Sequence, residues 1–587
     1  MRALSGVIPA CAAALHTVNV ADAAHDEGVI RAVGFGWTGA WRSLDAVVAS
    51  AAMLLPMGTR AMRAGLASAI VAGVAGVVVY AVARRLLAAC ATSPRLGAVV
   101  AWLASLTTTI GATWQLESAS PGGSVLGALL ATLPLLALLG DGEVRASRAP
   151  LAAGAIGLAF GYEPLVGACA LASTATLAIV AWTAQPPRIT PATRRRLVGT
   201  SVALFGAGLV PLALGALRAR TSHELALGVP AMASWMGERG ASATTTPLAF
   251  ARVELGWLVV ALAIAGAALS MFVPKARPIA AALVVLTAGG FASILAGVPA
   301  GPTRFGGPVL AAVAGAIALA AIAMQAIVRS VATAKIPFAR ASAAMIVVLE
   351  LSLPVSMADD ALARSIDRAR GVAATWEDVA WGPLPAGAVM MVSDPRVMKR
   401  ILAERASGTM RGDIAIVPTY DLSGSIARAS LAHEPRLAPF WRDMALQMVP
   451  EEFSLSTLAS VRPLVMAFDP RWEKTLARHL VPVGLVARFE TEPRGASDRR
   501  RALDSFVAKR DRLVRETILS RDPELVEATS ELLRARAIAL AASGDRDMVV
   551  RGIDDLHIFC PYDAVADTLA HRAAITKGPV DVKDLRP

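Results

Sequence analysis

The sequence predicts a helical polytopic membrane protein that ends in a soluble α/β and helical region, and three observations carry that expectation. Apolar residues make up 55% of the 587 positions and charged residues only 17%, more than one water-soluble core uses. Windows of about 20 apolar residues, the length that crosses a bilayer core, recur through the first 357 positions. After Met357 no such window returns, and short strand-like runs alternate with charged amphipathic stretches.

Taken in order, the spans are expected near 4–20, 61–83, 96–115, 122–140, 150–162, 164–184, 197–217, 252–273, 278–298, 307–328 and 341–357. The first reads either as an anchor or as a cleaved signal, because a single Arg, a short apolar run and an Ala-Asp-Ala triplet imitate a processing site. The fifth is short. It is separated from the sixth only by Tyr162-Glu163-Pro164, which fits a pair of half-spans or a broken helix, so the count is ten or eleven. Glycines in VAGVAGVVV (71–79) are small residues for close helix packing.

Orientation follows from the basic loops. Alternate short loops carry Arg84, Arg85 and Arg95; Arg145 and Arg148; Arg188 and Arg194 to Arg196; Lys275 and Arg277; and Arg329, Lys335 and Arg340. These face the cytoplasm, which puts 21–60, 218–251 and everything after 357 on the opposite side. The net charge of +12 is then a topology signal, with no nucleic-acid partner implied.

Beyond 357, the runs AGAVMMVSD (386–394), RGDIAIVPTY (411–420) and RPLVMAFD (462–469) read as buried strands. With helical stretches such as 395–406 between them, they predict a small α/β layer over 358–496 with a largely parallel sheet. Residues 497–587 form a helical region, opened by an arginine-rich hairpin over 497–544.

Several chemistries leave no trace. The four cysteines, Cys11, Cys90, Cys169 and Cys560, are far apart, and the seven histidines are scattered, so neither a disulfide framework nor a metal site is indicated. No phosphate-cradling GxxxxGK[ST] loop occurs. What stands out is HDEGVIRAVGFGWTGAWRSLDAVV (25–48), acids, arginines and two tryptophans between two apolar segments. Asp26 and Glu27 either open a helix, where acids favour the macrodipole, or offer a carboxylate to chemistry. Arg31 follows Glu27 at helical spacing. Trp37 and Trp41 fit an interfacial belt better than a sugar platform. Residues 43–58 read as an amphipathic helix on the outer surface, with Val47, Val48, Ala51, Met53 and Leu54 on its apolar side. Glu117 and Glu163 stand at span boundaries.

The order of these features is informative. An acid pair follows the first span, then a loop of about thirty residues, Leu55-Pro56-Met57-Gly58, then Arg63, Leu66, Ser68 and Ala69 opening the second span, and Trp114 near the end of the third. Farther on come GAVMMVSD, Arg411-Gly412-Asp413-Ile414, Phe440-Trp441-Arg442 and LVPVGLVARFE (480–490). In that order the chain resembles the bacterial protein O-mannosyltransferase-like membrane glycosyltransferases of the GT-C superfamily. It departs from their pattern in the loop: Gly39-Ala40-Trp41-Arg42 replaces a His-Pro-Pro-Gly stretch, Pro121-Gly122-Gly123 a Glu-Val-Tyr, and Tyr162-Glu163 a frequent histidine. Ala24 takes the place of the family's Asp, while Glu27 keeps the place of its Glu.

The resemblance implies a GT-C-like membrane domain (1–357) in a bacterial inner membrane, with the loop 21–60 and the C-terminal domain periplasmic or extracellular. It implies transfer of a sugar from a polyprenyl-phosphate donor to an acceptor, with no cofactor. Such transfer needs a carboxylate to deprotonate the acceptor and cations for the departing phosphate. Glu27, assisted by Asp26, would supply the first, and Arg31, Arg42, Arg63 and Arg239 the second. An inactive scaffold or partner subunit is the alternative. A transporter is disfavoured, since no inverted repeat is visible and the spans are almost free of charge.

Overall fold

The computed structural model describes residues 26–34, 41–221, 246–333 and 372–585, apart from 57, 91–92, 140–142, 188–189, 299, 301–304, 421, 423–426, 428–430, 433 and 521–522, together with three positions between 341 and 345. The expected spans at 4–20 and 341–357 lie outside the described residues. The chain divides into two compact units, one of Met1–Thr221 with Leu225–Ile366 and one of Asp367–Pro587 with Ser222–Glu224.

The first unit is built of helices among the described residues, with two isolated β-bridges, Leu139 to Val144 and Ala300 to Phe305. Two short helices, α1 (Asp26–Gly34) and α2 (Ser43–Ala52), precede α3 (Arg60–Ala89), α4 (Pro94–Ile110), α5 (Ala112–Ser118), α6 (Val125–Leu138), α7 (Ala149–Tyr162), α8 (Pro164–Ala184), α9 (Pro191–Gly208), α10 (Val210–Thr221), α11 (Pro247–Met271), α12 (Arg277–Ala292) and α13 (Gly307–Thr333). Helix starts use hydroxyl caps with proline behind them: Ser93, Thr190 and Thr246 each accept a first-turn N–H ahead of Pro94, Pro191 and Pro247. Among the described residues five helices are long and apolar enough to cross a membrane, or six if α4 with α5, bent by 61° at Gly111, is one span. Together with the shorter α6, α7 and α12, they occupy the nine expected windows between 61 and 328. This is a polytopic helical membrane domain.

Packing follows the membrane rule that small residues let backbones approach. At Gly266 in α11 an added Cβ would stand 1.9 Å from the Leu319 carbonyl oxygen of α13, so only glycine permits that crossing. Gly76, one of the glycines of the 71–79 run, gives its carbonyl to Ser105 Oγ of α4 at 2.7 Å. Helix α13 is buried along most of its length, whereas α9 exposes Val198, Val202 and Leu204. In a membrane protein such an exposed apolar face is the lipid-facing one. Glu163 is the one residue between α7 and α8, with extended backbone angles, as expected of a residue before proline. The two helices pack against each other, so the apolar stretch over 150–184 is two segments.

The second unit begins with α14 (Val372–Ala380). It continues with β1 (Val389–Val392), α15 (Pro395–Ser407), β2 (Ala415–Pro418), α16 (Ala438–Gln447), α17 (Glu452–Ala459), β3 (Leu464–Met466), α18 (Lys474–Ala477), β4 (Leu480–Val483) and β5 (Val486–Phe489). Four helices close it, α19 (Ala496–Ser520), α20 (Pro523–Ser543), α21 (Arg546–Phe559) and α22 (Ala564–Ile575). The strands form one sheet in the order β2-β1-β3-β5-β4. The three expected strands are all present, and β1 pairs parallel with both β2 and β3. The sheet is mixed rather than largely parallel, because LVPVGLVARFE makes an antiparallel hairpin that adds β5 to β3. Its two-residue loop has Gly484 at φ +60°, the positive angle such hairpin loops require.

Sheet and C-terminal helices share one core. Trp376 and Trp381 from α14 and its end, Met390 and Met391 from β1, Phe440 from α16, and Leu533 and Ile538 from α20 belong to the same buried cluster. Residues 497–587 therefore belong to the same compact unit as the sheet. The start of β2 is tied down by Arg411 and Asp413. Arg411 donates to the carbonyls of Trp381 and Leu384 and pairs with Asp413, whose Oδ2 also accepts Gly387 N–H at 2.8 Å. The Arg411 hydrogen bonds, with Gly387 N–H, hold the Asp413 carboxyl down at about 2. A depressed carboxyl contributes stability that is complete above its unfolded value and fades as pH falls through its folded one. Asp413→Asn should therefore lower the melting temperature of the detergent-solubilised chain at pH 7, and the difference from wild type should shrink between pH ~4 and ~2. A pH-independent difference would contradict this role.

A buried polar cluster beneath the opening loop

The chain turns from α2 into α3 through Leu55, Pro56 and Gly58. Gly58 has φ +59°, and Thr59 caps α3 by accepting Met62 N–H at 3.1 Å. Helix α2 buries Ala46, Ala49 and Ala52 against the protein and leaves Val47, Ala51 and Leu54 exposed. Of the five residues expected on the apolar side of a helix over 43–58, these three are exposed, whereas Val48 and Met53 are half-buried and the helix ends at Ala52.

Below this segment sits a cluster of ionisable groups that three separate parts of the sequence supply. Arg42, just before α2, is buried in a left-handed conformation at φ 62°. Its backbone N–H donates to the Tyr162 carbonyl at 2.8 Å. Its side chain donates from Nε to Tyr162 Oη at 2.8 Å and from Nη2 to the Gly122 carbonyl at 2.8 Å, and it pairs with Asp45 at 3.1 Å. Tyr162 Oη donates in turn to Asp45 Oδ1 at 3.1 Å, and the guanidinium lies 5.1 Å from the Tyr162 ring centre. Glu117 and Glu163, both buried, also act electrostatically on Arg42.

Glu117 fastens the adjoining turns. Its Oε2 accepts Ser124 N–H at the start of α6 and its Oε1 accepts Phe305 N–H just before α13, each at 2.7 Å. The intervening turn needs glycine twice: Cβ atoms on Gly122 and Gly123 would stand 2.5 Å from the Gly28 carbonyl oxygen and 1.7 Å from that of Glu117. Since Gly28 belongs to α1, the acid-bearing helix rests on this turn. A narrow cleft lined by Asp45, Ser68, Gly122 and Gly123 opens beside it.

The residues singled out from sequence fall into three groups. Asp26, Glu27 and Arg31 lie on α1, and their side chains are outside the described residues, as are Trp37 and Arg239. Arg42 is inside the cluster, directed at the protein's own acceptors. Arg63 is at the start of α3, where Nη1 donates to the Met53 and Leu55 carbonyls at 2.9 and 3.1 Å, so it clasps the turn before its own helix. Glu117 and Glu163, read as boundary residues, are enclosed.

Sequence reasoning missed Asp45 and Tyr162 as partners of Arg42. The three-residue spacing from Arg42 to Asp45 was visible, whereas contacts separated by 80 and 120 positions have no local signature. Arg42, Gly122 and Tyr162, each from a place where the sequence departs from the O-mannosyltransferase-like pattern, meet in this one network. No cluster of three or more histidine, cysteine or acidic residues able to hold a metal occurs among the described residues.

Removing one member of a buried ion pair leaves the other charge uncompensated, at a cost of about 3 kcal/mol or more. Arg42→Met and Asp45→Leu should each destabilise the detergent-solubilised chain by that order, while the double variant should lose clearly less than their sum. Additive losses would show that the two side chains do not depend on each other.

No protein-family model matches the chain, and neither does any curated protein. Among solved structures it is similar to ArnT from Cupriavidus metallidurans bound to undecaprenyl phosphate, at 16% identity and a TM-score of 0.47, with 78% of this chain and 92% of that chain covered. The apo form of the same ArnT gives 16% identity and a TM-score of 0.47 over 82% of this chain and 96% of that one.

Proposed function

We propose that the chain is an integral-membrane glycosyltransferase of GT-C type that moves a sugar from a polyprenyl-phosphate donor to an acceptor on the non-cytoplasmic face. The observation that carries the reading is the conjunction at α1. Glu27, which keeps its place in the O-mannosyltransferase-like order, is next to Gly28, and Gly28 packs on the turn that Arg42 and Glu117 hold in place. A carboxylate on that helix has a fixed backbone beneath it, as a general base requires.

In this scheme Glu27 takes the proton of the acceptor hydroxyl. The acceptor oxygen bonds to the anomeric carbon, and the bond from that carbon to the phosphate oxygen breaks, its electron pair leaving with the polyprenyl phosphate. Arginine forks stabilise the departing phosphate. Arg31 and Arg239 fit that role, with Arg42 and Arg63 as further candidates. The exposed apolar faces of α2 and α9 offer surfaces for the lipid chain.

A second reading, an inactive scaffold or partner subunit, is favoured by one specific observation: Arg42 and Arg63 direct guanidinium donors at acceptors of the protein itself. The two readings separate on one variant. Loss of a positioned base costs about 10² to 10⁴ in rate, so Glu27→Gln should nearly abolish sugar incorporation in membranes of a complemented deletion strain while the amount of folded protein is unchanged. Asp26→Asn should cost less. Unchanged incorporation with Glu27→Gln, or none attributable to the wild type, supports the scaffold.

The arginine-rich loops give the orientation that the reading needs, with the second unit periplasmic or extracellular. Reporter fusions after residue 90 and after residue 400 should report opposite sides of the inner membrane. A shared side would overturn the orientation.

A further inference from the structure

The second unit repeats one tripeptide at equivalent places. Strand β1 runs into Ser393-Asp394-Pro395-Arg396 and β3 into Phe468-Asp469-Pro470-Arg471. The register that pairs Met391 with Met466, carried three residues on, matches Asp394 with Asp469. In both turns the aspartate accepts the backbone N–H of the arginine two residues ahead, at 2.7 and 2.9 Å, and that arginine's guanidinium returns to the same carboxylate. Chain topology separates these two ends: from β1 the chain goes by α15 to β2 on one side and later returns as β3 on the other. In open α/β sheets that switch point, at the carboxyl ends of the strands, is where a crevice forms and ligands bind.

A cavity of about 300 Å³ lies there, walled on its far side by α20, a volume at the small end of ligand pockets. Its floor is apolar, from Met390, Val392, Phe468 and Ile538, and its rim carries Asp394, Asp469, Arg471, Glu531 and Arg534. Most of the rim charge is already paired. Glu531 Oε1 meets Arg396 and Arg534, and Arg534 also holds Asp563. One polar atom is different: Glu531 Oε2 is enclosed, on a side chain only 3% exposed, with no hydrogen-bond partner among the described residues. Leaving such an acceptor unmet costs on the order of 1–3 kcal/mol, which a ligand's donor would recover.

We infer that this crevice binds a small neutral polyhydroxyl ligand of monosaccharide size, with one hydroxyl donating to Glu531 Oε2 and the carbon face of the ring against the apolar floor. Hydroxyls both donate and accept, so they suit a rim of alternating carboxylates and guanidiniums. An anion is disfavoured because the turn N–H groups that would hold it are taken by Asp394 and Asp469, and because the unmet atom is itself an acceptor. The inference stands apart from the transfer proposed for the membrane unit, since every residue it uses lies in the second unit and binding requires no turnover.

The test is titration calorimetry on the purified full chain in detergent. The probes are the methyl glycosides of glucose, mannose, galactose, arabinose and N-acetylglucosamine, with inorganic phosphate and ethanolamine as the anionic and cationic arms. At least one glycoside should bind and neither phosphate nor ethanolamine should. Glu531→Gln should weaken binding about tenfold or more. Because that change also disturbs two ion pairs, Ala535→Phe, which fills the cavity and leaves every charge in place, should abolish binding without lowering the melting temperature by more than a few degrees. Absence of binding by all five glycosides, binding of phosphate or ethanolamine at this site, or glycoside binding that survives Ala535→Phe would overturn the inference.

Discussion

The membrane unit depends on how one guanidinium is accommodated. Arg42 is enclosed among Asp45, Tyr162 and the Gly122 carbonyl, and a lone charge in such surroundings would cost several kcal/mol. Each partner comes from a different part of the chain, so meeting that cost fixes the opening loop, the turn after α5 and the break between α7 and α8 to one another. The left-handed backbone of Arg42 adds a strain of about 1–2 kcal/mol, which persists because the side chain, the backbone N–H and α2 all constrain the residue. Strain of that kind at a buried ionic site points to a position whose geometry matters.

Polar and apolar constraints then divide the work. Glu117 satisfies two backbone N–H groups that would otherwise be unmet at the starts of α6 and α13, a requirement that water cannot fill in hydrocarbon. Away from these boundaries, glycine and alanine bring helix backbones together, as at Gly266 against Leu319, while Val198, Val202 and Leu204 of α9 face outward. The acid-bearing α1 rests on the glycine turn that this scheme creates. In the second unit, paired aspartate and arginine turns stand at the ends of the adjacent strands β1 and β3.

Much of the fold was legible because it depends on composition and local pattern. Span windows and the Tyr162-Glu163-Pro164 break are set by apolar length and the restriction that proline imposes on its neighbour, and each could be read close to its final place. The sheet was legible where runs such as AGAVMMVSD are buried on both faces. The β4–β5 hairpin was not recognised as strands, although Gly484 between two short β-branched runs was its signal. The site was less legible. Arg42 stood out, but its role depends on Tyr162, Asp45 and Gly122, which converge only in three dimensions, so a residue expected to meet phosphate is directed inward. The paired Asp-Pro-Arg turns were present in the sequence, and only the parallel register of β1 with β3 makes them equivalent.

Two candidate sites are thus proposed on separate units, one on the acid-bearing helix α1 and one at the sheet switch point. The most direct measurement of the central claim uses the wild-type chain reconstituted in liposomes with a labelled polyprenyl-phosphate sugar and a membrane extract as acceptor source. The account predicts protein-dependent release of polyprenyl phosphate with label passing to acceptor. Release no faster than in protein-free liposomes, across polyprenyl-phosphate-linked hexoses and pentoses, would contradict it.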